Sequence, residues 1–178
     1  IMDTPIEITE RGRIWRPVNF DGAYAGRLTL RRALMRSANA ATVRLGEAVG
    51  ERRVAAFARR AGIGSPLDAV PALALGSGAV TPLELAAAYA PFANGGLRVT
   101  PSLVRRIEAG DGTMLWRRPT PAAERVLGAA EAFQLTSMLK SVVDGGTGRL
   151  VRDRGVREPV AGKTGTTNAG TDVWFVGY

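Results

Sequence analysis

Whatever acid–base or nucleophilic chemistry this chain performs must come from a short set of side chains. It contains no histidine and no cysteine. Thiol nucleophiles, disulfides, thiolate metal sites and imidazole catalysis are therefore excluded, and proton transfer falls to Lys, Asp, Glu or Tyr. Three short patterns place such residues at useful spacings. Lys163-Thr164-Gly165-Thr166 offers a cation, two hydroxyls and a stretch of bare backbone. On a strand, the glycine lets a ligand's backbone lie close because no Cβ intervenes, and the cation and hydroxyls suit a carboxylate. A Gly-Thr-rich edge strand without function would carry the same letters. Ser37-Ala38-Asn39 puts a hydroxyl and an amide two residues apart between two expected helices. They can point into one cleft, but the spacing is common at ordinary residue frequencies, and taken alone Asn39 reads best as a helix cap. Ser137-Met138-Leu139-Lys140 has the Ser-x-x-Lys form of an acyl-enzyme serine with its lysine. It falls inside an amphipathic helix, where it reads as a helix-face serine followed by a solvated lysine.

The elements that must position these groups follow from periodicity and punctuation. Residues 1–28 contain Pro5, Gly12, Pro17, Gly22 and Gly26 with no helical period, and read as extended and turn structure. Thr29 is the expected N-cap of a helix that begins at Leu30. A second helix is expected over about 40–49, ending at Gly50, and a third over 51–61, with Val54, Phe57, Ala58 and Ala61 on one face and Gly62 as its stop. Thr81-Pro82-Leu83-Glu84 is a capping box with proline at the first helical position. The helix it opens ends at Asn94-Gly95-Gly96. A hairpin is expected over 103–107 and 114–116 about Asp111-Gly112. A long helix follows over about 122–143, with Phe133, Leu135, Met138, Leu139, Val142 and Val143 as its apolar set. Two strands, 159–167 and 172–178, close the chain, joined by residues 168–171.

The totals bound the class. At 178 residues, 46% hydrophobic and 22% charged, with a mean hydropathy of 0.00, the chain is one domain's length. It can bury about 70% of its unfolded surface, so a packed core is expected rather than disorder. No apolar run approaches the roughly 18 residues of a membrane span. The opening residues Ile1–Pro5 have no basic start and no apolar run, so a signal or membrane anchor is expected outside this piece. The net charge is +8 and, apart from Lys140 and Lys163, every basic residue is arginine. The arginines are scattered in pairs such as 31/32, 52/53 and 59/60, and read as solvated helix faces. Nucleic acid is not an expected partner. Attraction to an anionic membrane surface or wall polymer stays open.

Together, the order and company of the motifs resemble the serine transpeptidase and β-lactamase superfamily, in which Ser-x-x-Lys, Ser-x-Asn and Lys-Thr-Gly build one site. The likeness extends along most of the chain and is strongest to class A penicillin-binding proteins. Residues 15–22 (WRPVNFDG), 28–34 (LTLRRAL) running into Ser37-Ala38-Asn39, 74–86 (ALGSGAVTPLELA), Tyr89-Ala90 and Asn94-Gly95-Gly96 all carry it. So do Val142-Val143, Gly146-Thr147-Gly148, 161–168 (AGKTGTTN) and 172–178 (DVWFVGY). In that superfamily the nucleophile precedes Ser-x-Asn, so Ser137 stands in the wrong place for it.

The resemblance implies an α+β fold, in which part of an antiparallel sheet is flanked by helices and a helical subdomain contributes Ser37. It implies an incomplete transpeptidase domain over 1–178: the nucleophile-bearing segment is expected upstream of Ile1, and a last strand and helix beyond Tyr178. The implied function is peptidoglycan crosslinking by serine acyl transfer, on stem peptides ending in D-Ala-D-Ala, with β-lactam antibiotics as inhibitors, no cofactor and no metal, at the extracytoplasmic face of the inner membrane. The fragment itself is expected to be inactive. By the same resemblance Ser37 relays a proton and Asn39 binds the donor's peptide amide. Lys163 supplies positive charge, Thr164 and Thr166 hold the terminal carboxylate beside Gly165, and the Thr166 backbone N–H is one of two oxyanion donors. A β-lactamase-like hydrolase and a non-catalytic module that binds cell-wall peptide are the alternatives.

Overall fold

The computed structural model describes residues 1–10, 12–119, 122–167 and 170–178. The proline- and glycine-punctuated opening is extended, as expected, and forms two small antiparallel ladders. β1 (Met2–Asp3) pairs with β4 (Gly26–Arg27), and β2 (Ile8–Glu10) with β3 (Arg13–Trp15). Helix α1 (Leu30–Arg36) starts where Thr29 accepts from the Arg32 N–H at 3.2 Å. Helices α2 (Asn39–Val49) and α3 (Glu51–Ala61) are separated by Gly50 at φ 94°, and α3 stops at Gly62 at φ 130°. Only glycine takes such angles without steric cost. A 3₁₀ turn over Pro71–Leu75, for which no sequence signal was read, leads toward α4 (Pro82–Ala93). The capping box forms on both sides: Thr81 Oγ1 accepts from the Glu84 N–H, and Glu84 accepts from the Thr81 N–H.

The next segment departs from the periodicity. The hairpin strands are β5 (Arg106–Glu108) and β6 (Met114–Arg117), with a register shift at Ile107/Glu108. Residues 103–105 precede β5, although Arg105 O still accepts from the Arg118 N–H at 3.0 Å. Helix α5 runs Ala129–Gly145 rather than from 122. Residues 124–126 instead pair with 96–98, through Arg98 N–H to Glu124 O at 2.8 Å and Val126 N–H to Gly96 O at 2.9 Å. Val126 is buried there, and Arg60 donates to its carbonyl at 2.6 Å. Tertiary pairing overrides helix propensity at this point, and Gly96 makes it possible, because a Cβ there would overlap Leu127 O. Within α5, Leu139, Val142 and Val143 are buried, but Phe133 is 75% exposed. Nine residues at 100° each place Phe133 diametrically opposite Val142, so the face that meets α1, α4 and the last strands excludes it. A short helix α6 (Leu150–Asp153) precedes the antiparallel pair β7 (Gly162–Thr166) and β8 (Val173–Gly177). The connection between them includes Asn168 and Ala169, which lie outside the described residues.

Two alanine-rich clusters hold the helices together. One gathers Ala55, Ala61, Ile63, Leu67 and Ala88 with Phe57, Ala58, Leu73 and Val80 against it. The other joins Ala33, Ala38 and Ala41 with Ile1 and Leu28. Small side chains let backbones approach closely, which brings the α1–α2 corner within reach of α5 and β7. Arg31 reinforces that approach. Its guanidinium donates to Ser137 O, Ser137 Oγ and Ser141 Oγ on α5 at 2.6–3.0 Å. The result is the expected α+β arrangement, an antiparallel ladder backed by α5 with a helical group beside it.

Candidate active site

Ser37 ends α1 in the left-handed conformation (φ 53°, ψ 45°), and is the one non-glycine residue with positive φ among those described. Its N–H donates to Leu34 O at 3.1 Å and that of Ala38 donates to Ala33 O at 3.0 Å. This is the hydrogen-bond pattern of a Schellman cap, with serine where glycine usually sits. The sharp reversal turns the Ser37 hydroxyl away from α1 and starts α2 two residues later. Asn39 does not cap α2, contrary to the sequence reading. Ala38 occupies the cap position without a side-chain bond, and Asn39 Nδ2 donates to Val18 O at 2.7 Å. The amide is committed across to the 17–22 loop, because the Schellman turn has already fixed the direction in which α2 begins.

Lys163, on β7, lies 126 residues further along the chain, and its Nζ donates to Ser37 Oγ at 2.9 Å and to Thr164 O at 2.8 Å. Burial pushes the Lys163 ammonium below the ordinary lysine value, and it has no carboxylate partner among the described residues. A half-buried cation without a counter-ion is a place where an incoming carboxylate is favoured.

The ladder register decides what β7 presents. Ala161 and Tyr178 exchange both hydrogen bonds, and Thr167 N–H donates to Asp172 O. With Lys163 opposite Val176 and Gly165 opposite Trp174, the two-residue period makes these the hydrogen-bonded pairs and leaves Thr164 and Thr166 in the non-hydrogen-bonded ones. The backbone N–H and C=O of Thr164 and Thr166 therefore point away from β8, toward the edge of β7 that no other described strand covers. A cleft of about 710 Å³ brings Ser37, Asn39, Thr164, Gly165 and Thr166 to one surface. At Gly165 an added Cβ would meet only Trp174 Cβ, at 3.8 Å, so the strand is bare on that side.

Further residues belong to this cleft that motif reading did not single out. Thr147 lines it, and its Oγ1 lies 2.6 Å from Thr164 Oγ1 while its N–H donates to Met35 O. Its signal was Gly146: a Cβ there would overlap Met35 O, so the chain must carry glycine to pass so close to α1. Val18, Phe20 and Trp174 line the opposite walls. Ser137 and Lys140 take no part. Ser137 is engaged by Arg31 within α5, and Lys140 is exposed. A larger concavity, about 870 Å³ beside the β5–β6 hairpin, is lined by Arg105, Arg106, Arg117 and Arg118 without a hydroxyl–lysine pair. Chemistry, not size, selects the Ser37 cleft; Lys163 is not among its lining residues and is tied to it through Ser37 Oγ.

Comparison with known proteins identifies the family of the chain as a whole. The family described as "Penicillin binding protein transpeptidase domain" matches residues 1–178. Penicillin-binding protein 1A of Neisseria meningitidis is 38% identical over 186 residues, an alignment that takes in 100% of this chain and 23% of that protein. The chain thus spans about a quarter of the length of the curated relatives it matches. Among solved structures, penicillin-binding protein 1A from Haemophilus influenzae superimposes with a TM-score of 0.91 at 30% identity, over 100% of this chain and 32% of that one. The imipenem acyl-enzyme complex of penicillin-binding protein A from M. tuberculosis gives 0.79 at 25% identity, over 97% and 44%. This chain belongs to the penicillin-binding protein transpeptidase domain family.

Proposed function

We propose that the chain is the substrate-binding and proton-relay part of a serine D,D-transpeptidase that crosslinks peptidoglycan stem peptides, and that it is an incomplete domain whose nucleophile comes from a Ser-x-x-Lys segment outside these 178 residues. The observation that carries this reading is the 2.9 Å contact between Lys163 Nζ and Ser37 Oγ beside an open strand edge. In the reaction, the serine attacks the penultimate D-Ala carbonyl and gives its proton to its lysine partner. Lys163, Thr164 and Thr166 hold the terminal carboxylate. The Thr166 N–H, turned to the free edge of β7, donates to the developing oxyanion, an interaction of the kind worth about 2.7–4 kcal/mol in the transition state. Collapse expels D-alanine, whose amine takes its proton through Ser37. The second stem peptide's amine then displaces the acyl group by the reverse route. Asn39, already fixed by Val18, offers its remaining polar capacity to the donor's backbone amide. A β-lactam enters by the same attack with its ring nitrogen as leaving group, the chemistry that acyl-enzyme complexes of the mycobacterial relative embody. The setting is the extracytoplasmic face of the inner membrane, with an anchor outside this chain. Among the described residues no helix is long and apolar enough to cross a membrane.

The test is fluorescent-penicillin labelling of the full-length parent. Ser37→Ala and Lys163→Ala each slow acylation by about 10²–10⁴-fold, the range of general acid–base catalysis, while Ser137→Ala labels at the parent rate. Normal labelling of Ser37→Ala, or loss of labelling in a folded Ser137→Ala protein, overturns the assignment.

A further inference from the structure

At the wall of the cleft, which Asn19 helps to line, lies a buried polar pair that no step above uses. Asp3 on β1 is 1% exposed and Asn19 is 6% exposed, and they are the two buried polar or charged residues among those described. Asn19 Nδ2 donates to Asp3 Oδ1 at 2.9 Å and to Ala23 O at 2.8 Å, and Asp3 Oδ2 accepts from the Ala25 N–H at 3.0 Å. Asn19 Oδ1 points the other way and accepts from the Ala40 N–H at 3.3 Å. That N–H belongs to the first turn of α2, where such groups lack intrahelical acceptors and where Ala38 has no side chain to offer. Asn19 thus caps α2 from outside the helix. Asn39 returns the favour through its bond to Val18 O, so the 17–22 loop and the Ser37–Asn39 connection are cross-tied twice within three residues. Arg44, further along α2, donates to Met2 O, Thr4 O and Pro5 O on both sides of Asp3, pinning β1 to the same helix.

A buried polar group left without its partner is expensive, so these side chains must be kept by something that uses them. What they fix is the start of α2. Ser37 sits immediately before it in a left-handed conformation that an ordinary residue leaves when its surroundings allow. We infer that Asp3 and Asn19 are positioning residues for the proton relay: Asp3 orients the Asn19 amide, Asn19 holds the first turn of α2, and that turn keeps Ser37 Oγ within hydrogen-bonding reach of Lys163. Neither residue is hydrogen-bonded to the Lys163 ammonium, whose partners are Ser37 Oγ and Thr164 O. This inference rests on the proposed role of Ser37.

The experiment measures penicillin acylation rate and thermal stability of the full-length parent. Asn19→Ala slows acylation by about 10²-fold, the scale of a 1 Å misplacement. It adds little further loss in a Ser37→Ala background, because residues acting through one group are not additive. Asn19→Asp sets two carboxylates against each other and is equally slow. Asp3→Asn sets an amide N–H against either the Asn19 amide or the Ala25 N–H. It slows acylation at least tenfold and likewise adds little further loss in a Ser37→Ala background. If Asn19→Ala does not fold, Asp3→Asn decides alone. Full additivity of either substitution with Ser37→Ala, or acylation of Asp3→Asn at the parent rate, overturns the inference while leaving Ser37's role standing. Unchanged acylation in Ser37→Ala itself overturns the functional reading beneath it.

Discussion

Ser37 holds a conformation that costs an L-residue about 1–2 kcal/mol, at the position where Lys163 needs a hydroxyl. Glycine would remove that cost but lose about 0.5–1 kcal/mol through the greater freedom of the unfolded chain. The balance favours glycine by about 0.5–1 kcal/mol. Comparing Ser37→Gly with Ser37→Ala isolates the backbone, since both lack the hydroxyl. The glycine variant is expected to be the more stable by that margin in urea denaturation, and both are expected to be slow in acylation. A glycine variant less stable than the alanine one shows that the left-handed angle carries no strain. The Ser-x-Asn spacing was legible in the sequence, but this geometry was not, because serine gives no sign of a left-handed turn. Asn39 was misread as a cap for the same reason. Local pattern registers a short polar side chain near a helix start, while its actual acceptor, Val18 O, lies 21 residues away.

The helix starts divide into those set by their own sequence and those set by a neighbour. Thr29 and Thr81 were readable because the capping atoms lie within three residues of what they cap. The true start of α5 was not readable, since residues 124–126 are held by 96–98, a pairing that no window of helical period contains. Glu84 belongs to both groups. Its carboxylate closes the α4 capping box and also accepts from the Gly64 N–H, the Ser65 N–H and the Ser65 hydroxyl, stitching the end of the α3 region to α4. Those hydrogen bonds, with the Ser65 hydroxyl foremost, lower its pKa from 4.5 to about 2. A depressed carboxylate stabilises the fold fully above its unfolded value and loses that contribution as the pH falls through its folded one. The stability gap between this chain and Glu84→Gln should therefore be constant above about pH 4.5, shrink below it, and close near pH 2. Urea midpoints across that range measure it. A gap still undiminished at the acid end, or one already closed at pH 5, contradicts the assignment.

The cleft exists only as a property of the whole chain. Its lysine and its serine come from opposite ends of the sequence, and α5 and the alanine clusters bring them together. Periodicity could give the elements but not this juxtaposition, which came from resemblance, because order along the chain does not state which strand edge faces which helix corner. The assembled geometry also bears on the expectation that no serine of this chain is itself acylated. There are six. Ser65 is bonded to Glu84, Ser102 to Val104 O, and Ser137 and Ser141 are held by Arg31, while Ser77 has no lysine hydrogen-bonded to it and the lysines give a close partner only to Ser37 and, by sequence, to Ser137. Ser37 is the serious candidate, beside a lysine whose pKa is lowered by burial. What speaks against it is the lack of a free oxyanion donor at the serine itself. A nucleophile's own N–H commonly supplies one donor to the tetrahedral intermediate, yet the Ser37 N–H is bonded to Leu34 O and the next one, of Ala38, to Ala33 O. This geometry supports the proposal that Ser37 passes a proton and does not hold an acyl group. Incubating this 178-residue chain with a penicillin should accordingly leave its mass unchanged. A gain of one opened-lactam mass, mapped by peptide fragmentation to Ser37 or any other serine, overturns that conclusion and makes the chain its own nucleophile.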